Sequence, residues 1–288
     1  MRAPAADLLV DNVAIPTDTE ITAPRDAAGA FLHTMLREGG KPVRIEVVIE
    51  MPAGRGPFPL LVFNHGSTGK GTEPQLFTET WWSRSIADFF VEKGWMVAFP
   101  QRRGRGKSDG LYDEGFAADR TQGYSSDPNR SLAGADRALE DLGAAIAALQ
   151  RRPDVAGGTI LLGGQSRGGA LSIAYAGMHP EQVVGVLNFV GGWKSDAAGT
   201  AGEINGTLFR RGGTFPRPTL WLYGRGDSYY SIEHSRSNFD AFTNAGGKGE
   251  FIEFDVPNGL GHRVIDYPNL WVGPVEKYLT AVAAELLR

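Results

Sequence analysis

Residues 159–169 read TILLGGQSRGG. The short apolar run Ile160-Leu161-Leu162 leads into Gly164-Gln165-Ser166-Arg167-Gly168, which has the form G-x-S-x-G. Glycine supplies 39 of the 288 residues. Chance alone therefore offers this pentapeptide to about one chain in four of such composition, and the pattern by itself decides little. Its setting decides more. Ahead of it lies a strand of the kind buried on both faces, and behind it residues 169–178 are rich in small apolar side chains and read as a buried helix. A serine at a strand-to-helix junction sits on a tight turn, and small residues at Gly164 and Gly168 let that turn close. Its hydroxyl is then held at the carboxyl edge of a sheet. The backbone N–H of Arg167, at a helix N-terminus, faces a developing oxyanion.

Working outward, the pattern repeats. Leu60-Leu61-Val62-Phe63 and Trp95-Met96-Val97-Ala98-Phe99 are further buried-type strands. The spacing between them predicts a helix over 78–93, with Trp82, Ile86, Phe89 and Phe90 on one side and Gly94 at its C-cap. A helix is predicted over 131–150 with Ser131 as N-cap. Strands are predicted over 183–190, 219–223 and 250–256, and helices over 231–244 and 274–287, the last with Pro274 in its first turn. Residues 43–50 partly alternate apolar and polar, and the N-terminal 50 residues read as antiparallel strands leading in. From residue 60 onward strands and helices alternate. The expected class is therefore α/β, a mostly parallel central sheet with helices on both faces, in one domain over 1–288. Two Gly-rich, loop-like stretches, 102–130 and 191–217, are expected as small cap insertions.

Composition narrows the function. The chain is 42% hydrophobic and 22% charged, enough for a sizeable core. Its net charge of −4 argues against a nucleic-acid partner. No run of 18 apolar residues marks a membrane span. The absence of cysteine excludes disulfides, thiolate metal sites and a Cys nucleophile. MRAPAADLLVDNVAIP, residues 1–16, holds no continuous apolar core of a signal peptide, so a cytoplasmic location is the default expectation.

A serine hydroxyl is a poor nucleophile without a base, and the base needs a group to orient it. Of the five histidines, His33 is expected ahead of the sheet, and His179 and His234 in or beside helices. His65 follows an early strand. His262 lies in Asn258-Gly259-Leu260-Gly261-His262, a loop after the last strand. The matching acid is Asp227, where Tyr223-Gly224-Arg225-Gly226-Asp227 ends the preceding strand. Asp255 and Asp266 are rivals without such a strand end. Three junctions thus supply a triad in the chain order Ser, Asp, His.

Over about residues 43–288 these features resemble the α/β-hydrolase superfamily. Pro218 to Asp227 (PTLWLYGRGD) looks like the family's acid-bearing strand, GLGH like its histidine loop, and Asn64-His65-Gly66-Ser67 like its oxyanion loop. The resemblance implies a second oxyanion donor at the N–H of Ser67 or Thr68, with His65 shaping that loop. Within the superfamily, QRRGRGKSDG and the short insertions look most like dienelactone-hydrolase-like and cocaine-esterase- or prolyl-peptidase-like members. There are two departures: Ser166 stands where dienelactone hydrolases carry Cys, and Gln101 where the arginine-glycine segment often opens with Asp.

The expected activity is hydrolysis of small-molecule carboxylic esters through an acyl-enzyme, with no metal or organic cofactor. A peptidase or amidase, an acyltransferase, and a slow-turnover binding protein remain open on the same triad. His65, Trp193, Tyr229 and Tyr230 are placed around the substrate pocket, which suits partly apolar or aromatic groups. Arg167 reads as exposed, either structural at the helix start or positioned for a substrate carboxylate. Arg102, Arg103 and Arg105 are read as ties for their long loop, with an anion site as the alternative.

Overall fold

The N-terminal strands pair with each other before they meet the rest of the chain. β1 (Ala30–Glu38) and β2 (Lys41–Glu50) form an antiparallel hairpin, turned at Gly39 and Gly40, both at positive φ. In this computed structural model, which describes residues 30–158 and 160–286, they join one sheet of eight strands. The others are β3 (Leu60–Asn64), β4 (Met96–Pro100), β5 (Ile160–Gln165), β6 (Val183–Phe189), β7 (Pro218–Gly224) and β8 (Lys248–Phe254). Their order is β1-β2-β4-β3-β5-β6-β7-β8. β2 meets β4 antiparallel, and every pair from β4 to β8 is parallel. The α/β class and the antiparallel lead-in are as the sequence predicts. Residues 1–29, with the leader-free reading made of 1–16, and the strand and helix ends placed at Thr159 and Leu287 lie outside the described residues.

β3, β4 and β6 are buried at every position, as strands covered on both faces must be. The covering helices are α1 (Arg84–Glu92), α2 (Pro128–Leu149), α3 (Arg167–Met178), α4 (Ala201–Arg211), α5 (Ile232–Asn244) and α6 (Pro268–Leu286). The chain leaves β3 for β4 on one side and returns across β3 to β5 on the other. Connections diverge at this switch point, the place beyond the carboxyl ends of β3 and β5 where open α/β sheets bind their ligands. Asn64-His65-Gly66 and Ser166 lie at those two ends.

Four boundaries differ from expectation. α1 begins at Arg84 and not near 78, because the Ser83 side chain accepts from Ile86 N–H and caps it there. The Trp81 amide and carbonyl are held instead by the Gln101 side chain, at 2.8 and 2.7 Å. α2 starts at Pro128, with Asp127 accepting from Arg130 N–H at 2.8 Å, so Ser131 lies inside the helix. The stretch 191–217 holds α4, whose buried Ala201, Ile204, Asn205, Leu208 and Phe209 follow helical spacing. Gly202 and Gly206 disguise that stripe. α6 starts at Pro268, which leaves Pro274 within the helix. His33, expected ahead of the sheet, is in β1.

Among the described residues, no helix is long and apolar enough to cross a membrane.

Candidate active site

Ser166 is the single residue between β5 and α3. It adopts φ 56° and ψ −123°, a sparsely populated conformation for a residue with a side chain. The surroundings hold it there: its N–H donates to Phe189 O at 2.9 Å, and its carbonyl accepts from Gly192 N–H at 3.1 Å. The flanking glycines are steric requirements. A Cβ on Gly164 would collide with the Gly168 backbone, and one on Gly168 with the Asn64 carbonyl. The two glycines therefore let α3 start against the end of β3, where the His65–Thr68 loop begins.

The Ser166 hydroxyl lies 3.5 Å from the Tyr230 hydroxyl, its hydrogen-bond partner here. Tyr230 gives its own hydrogen to Gly192 O at 2.8 Å, so Ser166 is the donor of that weak bond. His262 is not a hydrogen-bond partner of Ser166 in this structure.

His262 and Asp227 are joined. His262 Nδ1 lies 2.8 Å from Asp227 Oδ2. The other oxygen, Oδ1, accepts the Tyr229 and Tyr230 amides at 2.7 and 3.1 Å. An ionised carboxylate only accepts, so the His262 proton is placed on Nδ1 and Nε2 keeps its lone pair. Asp227 is buried, with 1% of its side chain exposed. The His262 ring packs against Tyr229 at 4.6 Å between centroids and Tyr230 at 5.7 Å. Its loop is tied to the elbow: Gln165 Nε2 donates to His262 O at 3.0 Å. The rival acids point elsewhere, since Asp255 pairs with Arg225 and Asp266 with Arg263.

Of the expected oxyanion donors, Thr68 is engaged, its N–H donating to the Tyr124 hydroxyl at 3.2 Å. The amides of Ser67 and Arg167 have no partner among the described residues. Arg167 N–H stands at the first position of α3, where a helix provides no acceptor.

No family model matches this chain, and no curated protein does. Solved structures do. Est1E from Butyrivibrio proteoclasticus, solved with ferulic acid bound, superposes with a TM-score of 0.61 at 14% identity, over 88% of this chain and 99% of that one. The Pyrococcus furiosus esterase Pf2001 gives 0.60 at 14%, over 88% and 90%. Acetyl xylan esterase 1 from a Thermoanaerobacterium species gives 0.53 at 16%, over 79% and 81%. This chain has the α/β-hydrolase fold.

In that hydrolase frame the loop after β3 carries His65, which is buried and not on a pocket wall. His65 Nε2 accepts the Arg102 amide at 3.1 Å, so its proton sits on Nδ1 and is given to Gly66 O at 2.8 Å. Burial, then Arg102 and Arg105, hold this imidazole well below its ordinary range and keep it neutral.

The Arg167 side chain is also buried, so the reading of it as exposed is corrected, and the structural alternative fits where the substrate-carboxylate one does not. It lies between the Tyr124 ring (3.7 Å) and the Trp193 ring (4.3 Å), donates to Trp193 O, and pairs with Glu114 at 3.2 Å. Trp193, expected on the pocket wall, is 1% exposed and belongs to the core. Tyr230 is buried beside Ser166, and only Tyr229 of the four pocket candidates is open to solvent, at 37%.

The arginines of the long loop bind inward. Arg102 pairs with Glu114, Arg103 with Glu140 and Asp141, and Arg105 donates to Leu76 O. Burial pushes the Asp141 carboxyl up to about 6 against the pull of Arg103.

Sequence reasoning missed Gln101, Glu114 and Tyr124 as supports of the site. Glu114 lies 53 residues from Arg167, and no spacing rule connects such positions.

Proposed function

We propose that this chain is a serine hydrolase of small carboxylic esters that works through an acyl-enzyme. One observation carries the reading: Asp227 fixes the tautomer of His262 that leaves Nε2 able to accept a proton, and Gln165 ties the His262 loop to the strained elbow of Ser166.

The hydroxyl of Ser166 turns from Tyr230 to His262 Nε2, which takes its proton as Oγ attacks the ester carbonyl carbon. The carbonyl oxygen becomes an oxyanion held by the amides of Ser67 and Arg167. One such donor contributes about 10²–10³ in turnover. His262 returns the proton to the leaving alcohol. Water, deprotonated by the same Nε2, then attacks the acyl-enzyme and releases the acid. Asp227 stabilises the imidazolium in both halves.

Esters are favoured over amides by the neighbours, two of which are named as esterases. The leaving alcohol must sit beside His262 Nε2. There the exposed Tyr229 packs on the histidine ring, and Leu260, two residues before it in the same loop, is also exposed, a setting for partly apolar or aromatic groups.

Intact-mass spectrometry with a fluorophosphonate tests the reading. The wild type gains one adduct and Ser166→Ala none. A series of p-nitrophenyl esters then sizes the acyl side. A folded wild type that stays unlabelled overturns the proposal.

A further inference from the structure

We propose that Glu114 is a positioning residue of this site, a buried carboxylate that sets the distance between the two oxyanion donors. The proposal rests on the serine hydrolase reading above.

Each donor amide belongs to a segment gripped by one guanidinium, and the two guanidiniums share one carboxylate. On the first side, Arg102 Nη1 donates to His65 O at 2.9 Å and Nη2 to Gly66 O at 3.2 Å, the two carbonyls just ahead of the Ser67 amide. On the second side, Arg167 carries its own donor N–H and directs its side chain to Trp193 O at 3.0 Å and Glu114 O at 3.0 Å. Glu114 joins them, with Oε1 2.5 Å from Arg102 Nε and Oε2 3.2 Å from Arg167 Nη1.

All three side chains are at most 3% exposed. Taking three charges out of water is expensive, and a buried pair is often no more stable than apolar packing of the same volume. Stability alone is thus a poor account of the cluster. Geometry is a better one. The two segments touch at the nucleophile, where a Cβ on Gly66 would come within 3.1 Å of Ser166 Cβ. No backbone hydrogen bond spans the gap between the Ser67 and Arg167 amides, so their spacing depends on what lies behind them. Tyr124 is a second tie, its hydroxyl on Thr68 and its ring on Arg167. Both Glu114 and Tyr124 come from the segment 102–127. That insertion acts as the back wall of the oxyanion hole.

Charge and position predict opposite signs for one substitution. The cluster of Arg102, Arg167 and Glu114 carries one net positive charge, and Glu114→Gln leaves two. A cluster that acts through its field would stabilise the oxyanion better in Glu114→Gln. A cluster that acts through position would do so worse.

The experiment measures kcat, KM, the pH profile, thermal melting and the Ki of a trifluoromethyl ketone, whose serine adduct carries an anionic oxygen, for wild type, Glu114→Gln and Glu114→Asp. For Glu114→Gln, kcat falls about 10- to 100-fold, the scale of a misplaced reacting group. KM stays within about threefold, Ki rises by the same factor as kcat falls, and the acidic limb of the pH profile, where the general base is protonated, does not move. Glu114→Asp restores part of the loss. An unchanged or raised kcat in Glu114→Gln, or a fallen kcat with unchanged Ki, overturns the proposal.

Should Glu114→Gln fail to fold, the cycle of Arg102→Met, Arg167→Met and the double variant replaces it. The losses in kcat/KM are then non-additive by at least about threefold, and additive losses overturn the proposal. An unlabelled wild type with fluorophosphonate removes the hydrolase reading itself. A wild type that labels, beside a Glu114→Gln that labels equally fast, removes only the role of Glu114.

Discussion

Asp227→Asn separates the tautomer argument from mere packing. Oδ1 of Asp227 faces two N–H donors, from Tyr229 and Tyr230, and Oδ2 faces the third, from His262. An asparagine has one acceptor oxygen and one donor amide. Turning the amide toward the two backbone donors would leave two donor clashes. Turning it toward His262 leaves one, and that one is relieved if the imidazole moves its proton to Nε2. The second arrangement therefore wins, and the base then presents N–H where it must accept. The expected fall in kcat is about 10⁴, or about 5.5 kcal/mol of barrier, with KM nearly unchanged. The assay is turnover of a p-nitrophenyl ester, with the rate of fluorophosphonate labelling as a second readout that needs no product release. Asp255→Asn is the control, because the Asp255 carboxylate pairs with Arg225 and lies 92% exposed. An Asp227→Asn enzyme within tenfold of the wild type would refute the reasoning, since His262 would then hold its working tautomer without the carboxylate.

Three further outcomes follow from the same geometry. His65 is neutral in the fold at pH values where the unfolded chain protonates it. Its depressed value thus adds stability that is complete above the ordinary 6.5 and is lost as pH falls toward the folded value. Below pH 6 the unfolding free energy should drop by up to about 1.4 kcal/mol per pH unit more steeply in the wild type than in His65→Asn; equal slopes in denaturant titrations would count against it. Gly168→Ala drives a methyl into the Asn64 carbonyl and should cost more than about 3 kcal/mol, read as a lower melting midpoint; a native-like midpoint would contradict the close approach of α3 to β3. Tyr229→Ala should lower kcat/KM for an aryl ester several-fold more than for a methyl ester of the same acid, because Tyr229 packs on His262, beside which the proposed mechanism puts the leaving alcohol; an equal loss for both would place the alcohol elsewhere.

What was legible in the sequence is what local pattern encodes. β3 and β4 are runs of apolar residues, and the junction at Ser166 is written in its glycines, so the sheet and the turn at Ser166 could be read from a single chain, and the expected partners His262 and Asp227 do meet. What was not legible depends on distant pairs. Arg167 reads as exposed because a charged residue beside a nucleophile usually is. Here Glu114 and Tyr124 from the segment 102–127, and Trp193 from a loop further on, bury it. The helix α4 was hidden for the opposite reason: its stripe of buried residues is local, but Gly202 and Gly206 lower helix propensity enough to suggest a loop, and packing overrides them. Gln101 shows the same limit. Gln101 stands where the family segment often has Asp, and its amide both donates to and accepts from Trp81, which a carboxylate cannot do.

The two sides of Ser166 are built differently, and the chemistry explains why. In the proposed mechanism negative charge appears on the side of Ser67 and Arg167 in the transition state and must meet donors already in place. Donors that had to reorganise would spend during reaction the stabilisation they provide. That side is accordingly buried and cross-braced, through Arg102, Glu114, Arg167 and Tyr124. On the side of His262, the same mechanism has an alcohol leave and a water enter through the same space. That side carries Tyr229 and Leu260 open to solvent, and its histidine is 21% exposed. A rigid hole facing an accessible base suits a two-step reaction in which one group is held and two others are exchanged. In the proposed reading the insertion 102–127 belongs to the held side: Arg102 ties it to the loop after β3, Arg103 to α2 and Tyr124 to α3.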